Sequence, residues 1–199
     1  MAPQRKIEPQ GHMLTIFIAG FAIILYCFPR LSSLFIYDRQ AILNGELWRL
    51  LTAPFVHFSG SHLFWNVLIF SMAGFAINVS KFPGFWIVCG ISIALPGLIF
   101  LLAVPDMGYY GGLSGLATGA AAYYCFCSLF KAKRKKGIWL VILVVMFIKI
   151  IVEATLNESI FAHAEEVSFR VLPAAHIVGY LGALAAVIWS KPGIKLQEP

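Results

Sequence analysis

Charge is what this 199-residue chain has least of: 12% of its residues are Asp, Glu, Lys or Arg, and nine are acidic. A water-exposed globule needs about a quarter of its residues charged, so this composition excludes an ordinary soluble domain. Cysteine is scarce as well. Cys27, Cys89, Cys125 and Cys127 all lie in apolar stretches and form no CxxC pair. That excludes a disulfide framework and a zinc site, and leaves them as small buried hydrophobes. No HExxH occurs, and His57 and His62 are five apart. A metalloprotease pair is thereby excluded, and neither metal nor another cofactor is expected. Internal repeats and low-complexity tracts are missing too, and the length leaves little room for a second domain.

What fills the chain instead is hydrocarbon. Sixty per cent of the residues are hydrophobic, and mean hydropathy is +0.83. Six apolar segments can be drawn, at 13–29, 61–79, 84–103, 114–130, 137–155 and 173–190. Each is near the roughly 17 to 25 residues that cross a bilayer core. Loops fall at 30–60, 80–83, 104–113, 131–136 and 156–172. Pro96-Gly97, inside the third segment, marks a kink. The pattern predicts an all-α polytopic membrane protein: a six-transmembrane-helix bundle over 13–190, with short tails at 1–12 and 191–199. Arg5 and Lys6 precede the first segment as they would a signal peptide, but no A-x-A-like site follows. The segment reads as a retained helix.

The net charge of +6 raises nucleic acid as a partner, but the basic residues sit at the ends of apolar segments and form no binding face. They read as orientation signals. With the N-terminus inside, Arg5, Lys6, Lys81, Lys131, Lys133, Arg134, Lys135, Lys136, Lys191 and Lys195 all fall on the inner side. Arg30, Arg39, Arg49 and Arg170 fall outside, and Lys149 lies within a helix. The expected partner is the lipid bilayer. For the run 131–136 an anionic-lipid role stands second to the topogenic one.

Polar groups inside membrane segments are costly and mark function by default. In this topology the second, fourth and sixth segments all start at the outer surface. His62 and Asn66 stand in the first turns of the second, Ser114 opens the fourth, and His176 lies about one turn into the sixth. His62 and Asn66 are i,i+4 and share a face. Ser114 follows a Gly-rich loop (Gly108, Gly111, Gly112), where unpaired helix N–H groups favour a developing oxyanion. Gly115-xxx-Gly119 and Gly179-xxx-Ala183 let two helix backbones approach closely. That approach would bring the Ser114 hydroxyl within reach of the His176 imidazole, the base a serine needs. Taken singly, each feature has a plainer explanation: Ser114 as an N-cap, His176 as a packing residue, the glycines as tight helix contacts. Their agreement favours a site.

These motifs resemble the rhomboid family of intramembrane serine proteases. Gly112-Leu113-Ser114-Gly115 matches its GxSG nucleophile motif, His57-xxxx-His62-xxx-Asn66 its second-helix pattern, and Ala175-His176-xx-Gly179 its last-helix pattern. Glu46-Leu47-Trp48-Arg49 is similar to its first-loop Trp-Arg element. The resemblance covers about residues 45–190 and implies Ser114 as nucleophile and His176 as general base, a dyad without an acid. It implies an oxyanion hole from the Ser114 N–H, His62 and Asn66, with His57 structural and Trp48-Arg49 anchoring the loop. It further implies transmembrane protein substrates and a bacterial inner membrane, with the site opening to the periplasmic side. A narrower likeness is to the short rhombosortase branch. It rests on length, on Lys149-xxx-Glu153 and on Pro173-Ala174-Ala175-His176, and implies trimming of carboxy-terminal Gly-Gly-type sorting tails. One departure stands out: where relatives carry Tyr or His four residues after the serine, this chain has Thr118. Lys149 and Glu153, i,i+4, read either as a mutual pair or as substrate contacts. The alternatives are an inactive rhomboid-like helix binder and, less favoured, a small transporter. Inactive relatives usually lose the serine or the histidine, and polar groups at one end argue against a transport path.

Overall fold

The structure, a computed structural model, describes residues 10–132, 136–156 and 173–190. Helix α1 (Gln10–Cys27) is followed by α2 (Pro29–Phe35), and the path bends by 118° between them. Pro29 stands at the start of α2, where its missing N–H costs nothing but cannot continue α1. A two-residue strand β1 (Tyr37–Asp38) leads to α3 (Arg39–Leu43), α4 (Arg49–Thr52) and a 3-10 turn at Ala53–Phe55. Then come α5 (Gly60–Val79), α6 (Phe85–Ala103), β2 (Tyr109–Tyr110), α7 (Ser114–Lys131), α8 (Lys136–Leu156) and α9 (Pro173–Ser190). The architecture is mostly helical, and the strands among the described residues form one antiparallel pair, Tyr37–Tyr110 and Asp38–Tyr109.

Among the described residues four helices, α5, α6, α8 and α9, are long and apolar enough to cross a membrane, and α1 with α2 passes the same test as a bent pair. Helix α7 is not among them, for a physical reason. It packs against α5, α6, α8 and α9 and buries ten residues, from Gly115 to Ser128. A helix enclosed by other helices need not be apolar enough for lipid. Helix α8 is the converse. Its buried residues are Leu143, Ile150 and Glu153, while Val141, Val144, Val145, Phe147, Ile148 and Ile151 are exposed. That distribution fits a helix with most of its circumference against lipid tails.

Segment 30–60 is far more ordered than a loop. Asp38 caps α3 by accepting from the Ala41 N–H at 3.1 Å. Buried Arg49 donates to Ser33 O and Ile36 O, each at 2.9 Å, and its Nε to Glu46 Oε2 at 2.7 Å. Thr52 donates to Phe35 O at 2.8 Å and Trp48 Nε1 to Leu34 O at 3.1 Å. Charge-assisted bonds of this kind, short and several to one guanidinium, tie α2 firmly to α4. At Pro96-Gly97, α6 runs on as one helix from Phe85 to Ala103. Gly97 also serves close approach: a Cβ there would sit 2.5 Å from Leu50 O, so α4 docks directly on the α6 backbone. Arg39 adds a second tie, donating to Phe100 O at 3.2 Å.

Candidate active site

Helices α7 and α9 meet in a close contact made by glycine. A Cβ on Gly115 would lie 2.9 Å from Ala175 O, and one on Gly119 would lie 3.0 Å from Gly179 O. A Cβ on Gly179 would collide with Gly115 O. Backbone therefore meets backbone, and the Ser114-Gly115 and Ala175-His176 segments are brought side by side. Ser114 is the first residue of α7. The preceding N-cap position is Leu113, and no side-chain cap bond is made there. The N-cap explanation of the serine therefore fails: its hydroxyl is not spent on the helix end. The first α7 turn bond runs from Ala117 N to Leu113 O at 2.9 Å, so the N–H groups of Ser114, Gly115 and Leu116 lie ahead of the intrahelical pattern.

The loop that delivers Ser114 is held from below. Gly112 N donates to Ala53 O at 3.3 Å, and a Cβ on Gly111 would be 2.8 Å from Val56 O. Gly112 has φ +131°, and the space a Cβ would take there is filled by the His62 ring, 2.6 Å from its Cε1. Only glycine meets both conditions. His57 is the second support. Leu113 N donates to His57 Nε2 at 3.2 Å, and Asn66 Nδ2 approaches the same nitrogen at 3.4 Å. His57 Nε2 is thus the acceptor, which leaves Nδ1–H to donate to Phe55 O at 3.2 Å. Burial, reinforced by the neighbouring His62, pushes the His57 pKa down from 6.5 to about 3, with Phe55 O opposing the shift. The ring is neutral, and it links the α5 approach to the residue before Ser114.

His62 and Asn66 both lie on the buried face of α5, and Ser59 caps that helix by accepting from His62 N at 3.2 Å. The rings of His57 and His62 meet edge to face with centroids 5.1 Å apart, and the His62 ring packs against Gly112, two residues before Ser114. The structure therefore gathers Ser114, His57, His62, Asn66 and His176 at one end of α5, α7 and α9. Asn66 turns toward His57 Nε2. Thr118 is half-buried one turn below Ser114. Among the described residues no hydrogen bond joins the Ser114 hydroxyl to His176. Such bonds are commonly long until substrate closes the site.

His176 is 5% exposed, and its Nδ1 lies 2.9 Å from Glu153 Oε2. Glu153, 1% exposed, also receives Lys149 Nζ at 2.7 Å. The carboxylate thus joins the base, a contact the dyad without an acid did not include. The sequence carried a signal for it: Glu153 is the one acidic residue inside the six apolar segments. Its partnership with His176 was hidden because α8 and α9 are separated by residues 157–172, outside the described region. No group of His, Cys, Asp and Glu among the described residues has a geometry suited to a metal ion.

The fold and site together define a mostly helical multi-pass membrane protein with a polar cluster at one end of its helices. The chain belongs to the rhomboid family: the Rhomboid domain model matches residues 44–191. Comparison with curated proteins returns no significant match. Rhomboid proteins are an intramembrane protease family acting on transmembrane substrates within the bilayer.

Proposed function

We propose that the protein is an intramembrane serine endopeptidase, with Ser114 as nucleophile and His176 as general base. The observation that supports this reading is the glycine contact of α7 and α9, in which Gly115, next to Ser114, meets Ala175, next to His176. In the reaction, Ser114 Oγ attacks the scissile carbonyl carbon while its proton passes to His176 Nε2. The carbonyl π pair moves onto oxygen, where the Ser114 N–H and the side chains of His62 and Asn66 stabilise it. Collapse breaks the C–N bond, and the Nε2 proton leaves with the amine. Water then hydrolyses the acyl-enzyme by the same sequence. Asn66 joins the oxyanion hole by turning its amide from His57.

All six long helices cross the bilayer with the N-terminus inside, and the site opens to the periplasmic side of a bacterial inner membrane. The crowding of Lys and Arg at the inner ends supports this orientation. The protease domain spans 13–190. Substrates are membrane-anchored exported proteins carrying a Gly-Gly-type tail, a reading supported by Lys149-xxx-Glu153 and the Pro173-Ala174-Ala175-His176 run. The test is cleavage of a transmembrane substrate by reconstituted protein. Ser114→Ala and His176→Ala should each abolish it while the protein stays folded, and wild-type turnover in either would remove that residue from the mechanism. Substrates with and without the Gly-Gly-type tail, compared side by side, test the specificity.

A further inference from the structure

Glu153 is buried to 1% exposure in a helix otherwise given largely to apolar contact, and it reaches across to the neighbouring helix. A carboxylate in such a place must be compensated, and here partners reach it from two helices: Lys149 Nζ at 2.7 Å on α8 and His176 Nδ1 at 2.9 Å on α9. We infer that Glu153 is a positioning residue for His176, making the site a Ser-His-Glu arrangement in which Lys149 supplies the countercharge. This rests on the assignment of Ser114 and His176 made above.

The chemistry follows from the donor inventory. An ionised carboxylate only accepts hydrogen bonds, so the close contact requires a proton on His176 Nδ1. In the neutral ring Nε2 is then bare, and it is the nitrogen able to take the Ser114 proton. When that proton arrives, the imidazolium forms beside a carboxylate already held in place, and Glu153 itself stays ionised throughout. Ring orientation is fixed by the same bond, reinforced by packing: α8 and α9 are also joined by Tyr180 Oη donating to Leu143 O at 3.3 Å. Glu153 thus supplies the orientation of the His176 ring from α8.

The test has two parts. In unmodified protein with ¹⁵N-labelled histidine, held in lipid nanodiscs at mildly alkaline pH, the His176 signals should show protonated Nδ1 and bare Nε2. They are identified by their loss in His176→Ala. The opposite tautomer overturns the inference, and this measurement needs neither catalysis nor a folded Glu153 variant. In Glu153→Gln, kcat should fall about 100-fold or more with KM changed less than about threefold, by analogy with amide replacement of a triad acid. Wild-type kcat in that variant also overturns it. Cleavage that survives Ser114→Ala would instead sink the protease reading and leave the tautomer result standing, so the two failures are distinguishable.

Discussion

Gly115→Ala perturbs the site without touching a reacting atom. The new methyl would lie 2.9 Å from Ala175 O, against 3.4 Å for the tight end of ordinary contact. The obstacle is backbone at the start of α9 and cannot rotate away, so α7 and α9 must part by about half an ångström. His176 follows Ala175 directly and moves with it. A misplacement of ~1 Å at a reacting pair costs roughly 100-fold, so half of that should lower kcat about tenfold. Overpacking should cost about 1–3 kcal/mol of stability. The assay is turnover of a fluorogenic transmembrane peptide in detergent or liposomes, with thermal unfolding measured in parallel. Gly20→Ala is the control, because nothing lies within 4 Å of the added carbon. If Gly115→Ala keeps wild-type kcat, the glycine contact does not set the distance between Ser114 and His176, and the argument fails.

Other substitutions act on the supports. Gly112→Ala combines φ +131° with a methyl driven into the His62 ring; turnover should drop by about 100-fold, as when one oxyanion donor is lost, and a near-normal rate would contradict His62's role. Arg49→Ala strips donors from Ser33 O and Ile36 O and leaves Glu46 without its partner. Loss of the charged donor to two carbonyls should cost about 2 kcal/mol of stability, followed by thermal unfolding, and Arg49→Lys should recover little, since an ammonium cannot reproduce the fork. For His57 the folded-state pKa is depressed from 6.5 to about 3, so folding favours the neutral ring. Its contribution is fully present above pH ~6.5 and is lost as pH falls toward 3, at up to about 1.4 kcal/mol per unit. Unfolding measured across that range should show a steeper acid-side loss in wild type than in His57→Gln, and parallel curves would refute it.

The helices were legible because lipid imposes one rule: a spanning segment must satisfy its own backbone and show an apolar face. The boundaries of Gly60–Val79, Phe85–Ala103 and Pro173–Ser190 fall within a residue of the apolar segments. The region from Arg30 to Gly60 was not legible. Its short helices are held by long-range bonds from Arg49, Thr52 and Arg39 to backbone carbonyls, and such pairings leave no periodicity. Pro96-Gly97 shows the same limit. The Pro-Gly pair reads as a kink, and the close approach of Leu50 to Gly97 is not visible in it. The candidate site was legible as motifs, because Ser114, His62, Asn66 and His176 each sit at a recognisable spacing. Glu153 was visible as a costly charge, but its partner across the helix boundary was not.

The central claim is that Ser114 is an activated nucleophile and His176 the group that activates it. A serine-directed fluorophosphonate, followed by mass spectrometry of the labelled peptide, tests it most directly. Wild-type protein should carry a single adduct on Ser114, and His176→Ala should lose it while retaining its thermal unfolding profile. Absence of the adduct in folded wild-type protein, or equal labelling after His176→Ala, would contradict the account.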